Sequence, residues 1–243
     1  MFTTNQLTTA QLEEYNECGF VIVKGLVEEG AVPALRENVL SVLRARNMGD
    51  SFLAQTSEYL AGSPIDSFVN HQDLNAVVSS VMGGKAHMYL PFTAVKGPHQ
   101  GAFKFHQDNQ YTQLDGPACN CWFALGPTSV ENGCLKIVAK SHLAGTLDSK
   151  KMFDEGAHLT VTEEPDSWVD IELEAGDCVI FNRLTVHGSG ANTTNEIRVG
   201  YAIQFFREDV RWFNRDEVCW NLLTEVPRFR TGPVEEFSRQ EGD

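Results

Sequence analysis

Residues 120–139, NCWFALGPTSVENGCLKIVA, carry the clearest indication of fold class in this chain. Two short runs rich in apolar and β-forming residues, Asn120–Leu125 and Cys134–Ala139, stand on either side of a polar segment. Within that segment, Asn132-Gly133 is a dipeptide typical of tight β-hairpin turns. The stretch therefore predicts two strands with a hairpin turn between them.

Runs of the same kind recur on both sides of this stretch. They are short and alternate with turns that contain Gly, Pro or Asn, and Glu174-Ala175-Gly176-Asp177 is a further predicted turn. The other predicted strands are His87–Val95, Ala102–His106, Trp168–Leu173, Cys178–Phe181, Thr185–His187 and Arg198–Phe206. About eight short strands at such spacing favour a β-sandwich or jelly roll.

Helical patterns precede the strands. Thr8 or Thr9 can cap a short helix that runs through Glu17, and a strand is predicted at Phe20–Val23. Residues 28–46 place apolar side chains at helical spacing, which predicts an amphipathic helix. Residues 50–80 carry a mixed pattern that favours neither element.

The length of 243 residues suits one medium-sized domain. We expect a single domain over residues 1–243, mainly β with flanking helices. Its parts are a helical N-terminal layer (1–85), a jelly-roll core (86–206) and an Arg-rich C-terminal extension (207–243).

The composition restricts the class of partner. A formal net charge of −14 disfavours nucleic acid and anionic membranes, because their phosphates would be repelled. No apolar run is long enough to span a bilayer, and the N-terminus lacks a signal-peptide pattern. The six cysteines form no C-x-x-C pair, so reduced core cysteines are expected. These features predict a cytoplasmic protein that binds neither nucleic acid nor anionic membranes, and they leave the substrate and the oligomeric state open.

The segment Phe103-Lys104-Phe105-His106-Gln107-Asp108 carries the first sign of chemistry. On a strand, residues two apart project from the same face, so His106 and Asp108 can reach one metal ion. His187 is a candidate third ligand, because it ends a short apolar run and precedes Gly188-Ser189-Gly190. Two histidines and one carboxylate on one octahedral face are the ligand set of iron(II) oxygenases. Alone, a His-x-Asp tripeptide or a single histidine is more often structural.

Arg198 strengthens the metal hypothesis, because it follows His187 by eleven residues at the start of the next predicted strand. An inward-facing arginine needs an anionic partner. The far carboxylate of 2-oxoglutarate is one such partner, since the guanidinium group can bind it bidentately. An internal ion pair with an acidic residue is the alternative interpretation.

In several motifs, the chain resembles the phytanoyl-CoA dioxygenase family from about Thr8 to Phe206. The motifs occur in the family's order, and they are residues 19–25 (GFVIVKG), 96–98 (KGP), 106–108 (HQD), 131–135 (ENGCL), 141–142 (SH), 174–177 (EAGD) and 187–190 (HGSG), followed by Arg198. Phe105, Asn182 and the loop Ala144–Glu163 depart from the family pattern. These departures leave the metal motif intact and affect what can be said of the substrate.

The resemblance implies a double-stranded β-helix of the jelly-roll, cupin-like type that binds Fe(II) through His106, Asp108 and His187. It also implies that Arg198 and Ser189 bind 2-oxoglutarate, and that Gln107, Trp122 and Met88 line the co-substrate pocket. Core packing is the alternative for Trp122 and Met88. Strand alternation points Gln107 away from the metal unless the strand bends or ends there.

The resulting functional hypothesis is an Fe(II)- and 2-oxoglutarate-dependent dioxygenase that uses O₂, with ascorbate as a candidate reductant, and hydroxylates a small metabolite. One alternative is a jelly-roll metalloprotein with the same iron site that does not use 2-oxoglutarate. Another is a non-catalytic binding protein on this scaffold.

Overall fold

The computed structural model describes residues 1–45, 53–54, 62–152 and 158–225. The α-helices are α1 Thr9–Cys18, α2 Val32–Ala45, α3 Pro64–Val69 and α4 Gln72–Met82. Short 3-10 turns lie at Glu29–Ala31, Asp108–Gln110, Ser141–Ala144 and Leu223–Glu225.

The strands run from the N-terminal layer to the C-terminal extension. They are β1 Phe20–Val23, β2 Leu53–Ala54, β3 Ala86–Lys96, β4 Phe103–His106, β5 Ala118–Ala124, β6 Leu135–Ile137, β7 Ser149–Lys151, β8 Leu159–Val161, β9 Val169–Ile171, β10 Cys178–Asn182, β11 His187–Ser189, β12 Arg198–Arg207, β13 Arg211–Asn214 and β14 Cys219–Leu222.

Two antiparallel sheets form the body of the protein. The larger has six strands in the order β1-β10-β5-β12-β3-β2, and the smaller has four in the order β4-β11-β6-β9. The predicted jelly roll is confirmed. From β3 to β6 and again from β9 to β12, consecutive strands alternate between the two sheets, so residues distant in sequence face each other in the space between them.

The larger sheet is buried on both faces, which explains the nearly continuous apolar runs of β5, β10 and β12. Helices α1 to α4 cover its outer face in one hydrophobic cluster, together with side chains such as Cys121, Phe123 and Tyr201. Trp122, Ala202 and Phe181 alternate with these and form a second cluster between the sheets. On β12 this alternation directs Arg198, Gly200, Ala202 and Gln204 toward the smaller sheet.

The turn at Asn132-Gly133 forms, but the predicted hairpin is wrong. Gly133 has a φ of 80°, and Asn132 Oδ1 accepts a 2.8 Å hydrogen bond from the Ser129 N–H. However, β5 pairs with β10 and β12, whereas β6 pairs with β11 and β9. The turn therefore carries the chain from one sheet to the other. Turn chemistry fixes the local backbone and leaves the choice of partner strand to packing.

The sequence pattern missed several elements. The loop 144–163 contains β7 and β8, and the C-terminal extension contains the hairpin of β13 and β14. The mixed stretch 50–80 includes α3 and the start of α4 in its described part. The single-domain organisation stays a prediction, since residues 226–243 lie outside the described residues. Among the residues that are described, no helix has the length and apolar character needed to cross a membrane.

Candidate active site

The predicted metal ligands converge between the two sheets. His106, Asp108 and His187 each offer one ligand atom, and these atoms lie within 4.8 Å of one another. His106 Nε2 is 4.0 Å and His187 Nε2 is 3.8 Å from Asp108 Oδ1. All three residues are no more than 6% exposed. Two imidazole nitrogens and one carboxylate oxygen fit a divalent iron ion and leave other coordination positions open.

The local backbone differs from the sequence-based expectation. Strand β4 ends at His106, and Asp108 opens the 3-10 turn Asp108–Gln110, so a strand end and not strand alternation brings the two together. Residues 185–186 are not part of a strand, and His187 begins β11. His187 lies directly opposite His106 in the antiparallel ladder, which places the imidazole rings 4.2 Å apart.

Both imidazoles are held in the same way. His106 Nδ1 is 2.9 Å from the Lys104 carbonyl oxygen, and His187 Nδ1 is 3.0 Å from that of Thr185. Because Nδ1 donates to a carbonyl, Nε2 carries the lone pair that a metal requires. Burial and the adjacent His187 lower the pKa of His106 to about 3, so this ring is neutral near pH 7.

Asp108 is supported by two residues that the sequence analysis did not identify. Asn120 Nδ2 donates to Asp108 Oδ2 at 3.3 Å, and Arg183 Nη2 donates to the Asp108 backbone carbonyl at 3.1 Å. Burial alone would raise the pKa of Asp108, but His187, Arg183 and the Asn120 hydrogen bond hold it below its ordinary value. The carboxylate is therefore ionised and oriented before a metal binds.

Arg198 is a buried cation without an acidic partner. It is 5% exposed, and it donates to the backbone carbonyls of Gly133 at 2.6 Å and Ala94 at 3.2 Å, while its Nε has no acceptor. In the described part of the chain no carboxylate lies within ion-pair distance of it. The internal ion pair considered as the alternative is thus not found there. An anion of a ligand is the natural partner of such a group.

Trp122 lies near Arg198, whose guanidinium carbon is 5.2 Å from the centroid of the Trp122 ring. Ser189 is buried on β11 of the smaller sheet. The Trp122 ring passes directly over Gly200, where a Cβ would lie 2.2 Å from Trp122 Cζ2. The absence of a side chain at Gly200 is what lets the indole lie flat against β12. The arrangement agrees with the predicted co-substrate pocket, and the roles of these residues stay predictions.

Gln107 and Met88 have other contacts. Gln107 is fully buried, and its amide donates to the carbonyls of Gly145 and Leu184 and accepts from the Leu147 N–H. Met88 packs against the helix-side core cluster, as in the core-packing alternative. These contacts give both residues a structural part, and a place in the co-substrate pocket stays a prediction.

The sequence contains one further pattern that indicates residues of this site. Asn120 and Gln204 are single polar residues within the apolar runs of β5 and β12, in phase with Trp122 and Arg198 respectively. An inward polar residue on a strand buried on both faces indicates a functional cavity. Arg183 follows β10 in a turn, where no pattern distinguishes it.

This chain is similar in sequence to known proteins. Residues 15–200 match the family model described as phytanoyl-CoA dioxygenase (PhyH). Dioxygenase ALT11 of Alternaria alternata is 27% identical over 222 residues, covering 79% of this chain and 69% of that protein. Alignments with four curated relatives span 62% to 71% of those proteins' lengths.

Solved structures share the fold. The 2-oxoglutarate-dependent carbocyclase SnoK from nogalamycin biosynthesis is 24% identical with a TM-score of 0.70, covering 87% of this chain and 89% of that chain. The epimerase SnoN, in a complex with Fe³⁺, 2-oxoglutarate and nogalamycin RO, is 20% identical with a TM-score of 0.68, covering 93% and 92%.

Proposed function

This chain belongs to the phytanoyl-CoA dioxygenase family, and we propose that it hydroxylates a small organic metabolite with 2-oxoglutarate and O₂ as co-substrates. The membership makes it an Fe(II)- and 2-oxoglutarate-dependent dioxygenase. The observation that carries the proposal is the buried triad of His106, Asp108 and His187 between the two sheets, together with Arg198 on the inward face of β12, a buried cation without an acidic partner among the described residues. In the balanced reaction, one oxygen atom enters a substrate C–H bond and the other enters succinate, while 2-oxoglutarate loses CO₂.

Iron bound to the triad would supply O₂ activation and hydrogen abstraction. The protein contributes geometry. Hydrogen bonds at Nδ1 fix both imidazoles, and Asn120 fixes Asp108. Arg198 is positioned to hold the far carboxylate of 2-oxoglutarate through charge-assisted hydrogen bonds, with Ser189 and Trp122 as further walls of that pocket. The buried setting excludes water from the reacting groups.

Hydroxylation is the reaction type that we propose. The Asp108 carboxylate argues against halogenation, because related halogenases lack this ligand so that chloride can bind, and it is compatible with hydroxylation, desaturation or ring formation. The named structural neighbours are a carbocyclase and an epimerase of nogalamycin biosynthesis, which favours a secondary metabolite as the substrate class. Within the described residues, Arg207 pairs with Asp209 and Arg211 with Asp115, so these two arginines are not free to form a basic rim for a CoA thioester.

We also propose a cytoplasmic location. All six cysteines are free thiols, and four of them are buried, as expected for a protein kept in a reducing compartment.

The experiment that tests the function follows succinate formation from 2-oxoglutarate under O₂, with Fe(II) and ascorbate, over a panel of metabolites. We expect one Fe(II) per chain in anaerobic titration, and product with one added oxygen by mass spectrometry. His106→Ala and His187→Ala should abolish iron binding and turnover, whereas His99→Ala, an exposed histidine, should not. Iron binding without 2-oxoglutarate consumption would favour the metalloprotein alternative, and neither would favour a binding protein.

A further inference from the structure

A row of side chains crosses the larger sheet beneath the metal ligands. Phe181 on β10, Asn120 on β5 and Gln204 on β12 are aligned by the ladder register. The Phe181 ring centroid is 4.5 Å from that of His187, and Asn120 donates to Asp108. Gln204 is one strand further out, about 5 Å beyond Asn120. It is linked to the candidate metal site through Arg183, which donates to Gln204 Oε1 and to the Asp108 carbonyl, and it is separated from Arg198 along β12 by Gly200 and Ala202 on the same face.

Gln204 and Asn120 are incompletely hydrogen-bonded. They are 7% and 3% exposed. Gln204 Oε1 accepts a 3.0 Å hydrogen bond from Arg183, but no acceptor among the described residues takes one from its Nε2. Asn120 Oδ1 is buried and likewise lacks a donor. Buried polar atoms without partners are rare, so the unpaired Asn120 Oδ1 beside the candidate metal site points to a ligand, and Gln204 Nε2 on the neighbouring strand is a donor without an acceptor among the described residues.

Arg183 determines which way the Gln204 amide faces. Its guanidinium group donates to the Asp108 and Thr112 carbonyls at 3.1 and 3.2 Å, and it lies 5.2 Å from the centroid of the Tyr89 ring. Since a guanidinium group has no acceptor, Gln204 must turn Oε1 toward it and Nε2 away from it. Gln204 Nε2 is therefore a hydrogen-bond donor of fixed orientation near the candidate metal site.

We propose that Gln204 is a specificity-determining residue that binds an uncharged oxygen group of the primary substrate, a hydroxyl or a carbonyl, through Nε2. The inference rests on the proposed function and names the class of its substrate. An amine would place a donor against a donor. A carboxylate would bury its charge beside Asp108 with a single neutral donor, which is costly.

The test uses the Fe(II)-loaded enzyme with 2-oxoglutarate and O₂. Matched alcohol, ketone, amine and carboxylate probes are compared on a cyclohexyl and on a naphthylmethyl frame. The readout is the rate of succinate formation with the probe divided by the rate without it. We expect alcohols or ketones on at least one frame to raise this ratio roughly three- to tenfold, as one hydrogen bond allows. Amines and carboxylates should leave it near one.

Gln204→Glu is the decisive variant, because it keeps a partner for Arg183 while replacing the donor by an acceptor. Its ratio with alcohols and ketones should fall to near one, and amines should now raise it. Gln72→Glu, on an exposed position of α4, is the matched control and should behave like the wild type. Thermal unfolding and iron titration verify that each variant is folded and loaded.

Two results separate the possible failures. If the wild type forms no iron-dependent succinate even without a probe, the proposed function is wrong. If that background rate is present but no alcohol or ketone raises the ratio, or Gln204→Glu responds like the wild type, the assignment of Gln204 is overturned.

Discussion

Arg198 is the residue whose proposed role, binding the far carboxylate of 2-oxoglutarate, would distinguish this site from a generic iron site. Among the described residues, its guanidinium group has backbone carbonyl oxygens as partners and no carboxylate. A charge-assisted hydrogen bond contributes about 1.5–3 kcal/mol net. We therefore expect Arg198→Ala to raise the 2-oxoglutarate concentration needed for half-maximal succinate formation by roughly ten- to a hundredfold or more.

Arg198→Lys should recover part of this loss, because lysine keeps the charge and loses the planar fork. Iron affinity measured without 2-oxoglutarate should change little in both variants. An unchanged 2-oxoglutarate dependence in Arg198→Ala would mean that the co-substrate binds elsewhere.

Lys96 is a second buried cation, directly opposite Arg198 in the ladder between β3 and β12. It is 5% exposed, and its Nζ donates to the Gly101 and Gly190 carbonyls at 2.9 and 2.6 Å. Burial and the neighbouring Arg198 lower its pKa to about 7. Above that pH the folded protein has released a proton that the unfolded chain still holds, since lysine in an unfolded chain has a pKa of about 10.4.

The free energy of unfolding should therefore rise with pH because of Lys96. Between pH 7 and 9, the wild type should gain up to about 1.4 kcal/mol per pH unit relative to Lys96→Met. Urea unfolding of both proteins at the two pH values measures this difference. A constant difference would show that the amine stays protonated when buried.

The metal ligands were predictable from sequence, whereas their surroundings were not. His106, Asp108 and His187 belong to short motifs whose residue types indicate a metal site. Asn120, Arg183 and Lys96 act through tertiary contacts with residues 12 to 94 positions away, and no local pattern encodes such contacts. Polar residues in apolar strands were the available signal, and it marked Asn120 and Gln204.

At the scale of elements, the turn after β4 ties the metal site to the segment that precedes β7. Gln107, Asn109 and Gln110 each donate a side-chain amide hydrogen bond to the short segment 145–147. The residue between the first two is the ligand Asp108. Three side-chain amides thus connect the turn that contains Asp108 to the segment that precedes the β7–β8 hairpin.

Asn109→Ala should show the strength of this connection. Asn109 Nδ2 donates to Thr146 at 2.9 Å, and its Oδ1 accepts from the buried Leu114 N–H at 2.9 Å. Leaving that N–H without an acceptor should lower the free energy of unfolding by about 1–3 kcal/mol, measured in urea. Asn5→Ala, at an exposed position, is the control. Equal stability of the two variants would contradict the role given to Asn109.

Helices and strands could be predicted where one hydrophobic periodicity is clear. They could not be predicted where tertiary contacts determine the element or its partner strand. Phe20–Val23 was predicted with the bounds that the structure gives, and β12 was predicted to within one residue. Strand β7 is polar and exposed, and β8 has only three residues, two of them buried, so neither strand is long enough for alternation to give a signal. The Asn132-Gly133 hairpin was wrong because the jelly roll pairs strands that are not consecutive in the chain.

At the scale of the whole molecule, the site joins the two sheets. His106 and His187 lie on strands of the smaller sheet, whereas Asn120 and Arg198 lie on strands of the larger one. A metal and a co-substrate bound between them would interact with the folded state alone. Ligand at about a hundred times its Kd stabilises a folded protein by about 2.7 kcal/mol.

We therefore expect Mn(II), as a redox-stable substitute for iron, and 2-oxoglutarate together to raise the unfolding temperature by about 5–10 °C. Differential scanning calorimetry measures the change. Arg198→Ala should keep the increment due to Mn(II) and lose most of the increment due to 2-oxoglutarate. A rise that 2-oxoglutarate produces equally in both proteins would place it outside the predicted pocket.

The inward face of β12 has a consequence for how this protein can diverge. Arg198 and Gln204 lie in the same phase of one strand, separated by Gly200 and Ala202. A single inserted or deleted residue between them would turn Gln204 toward the helices while Arg198 kept its place. Substrate preference can thus be altered by exchanging side chains along this strand. A change in the length of the strand would instead change the orientation of Gln204 relative to Arg198. Descendants of this protein are expected to vary in the loops around β12 and to preserve its count of residues.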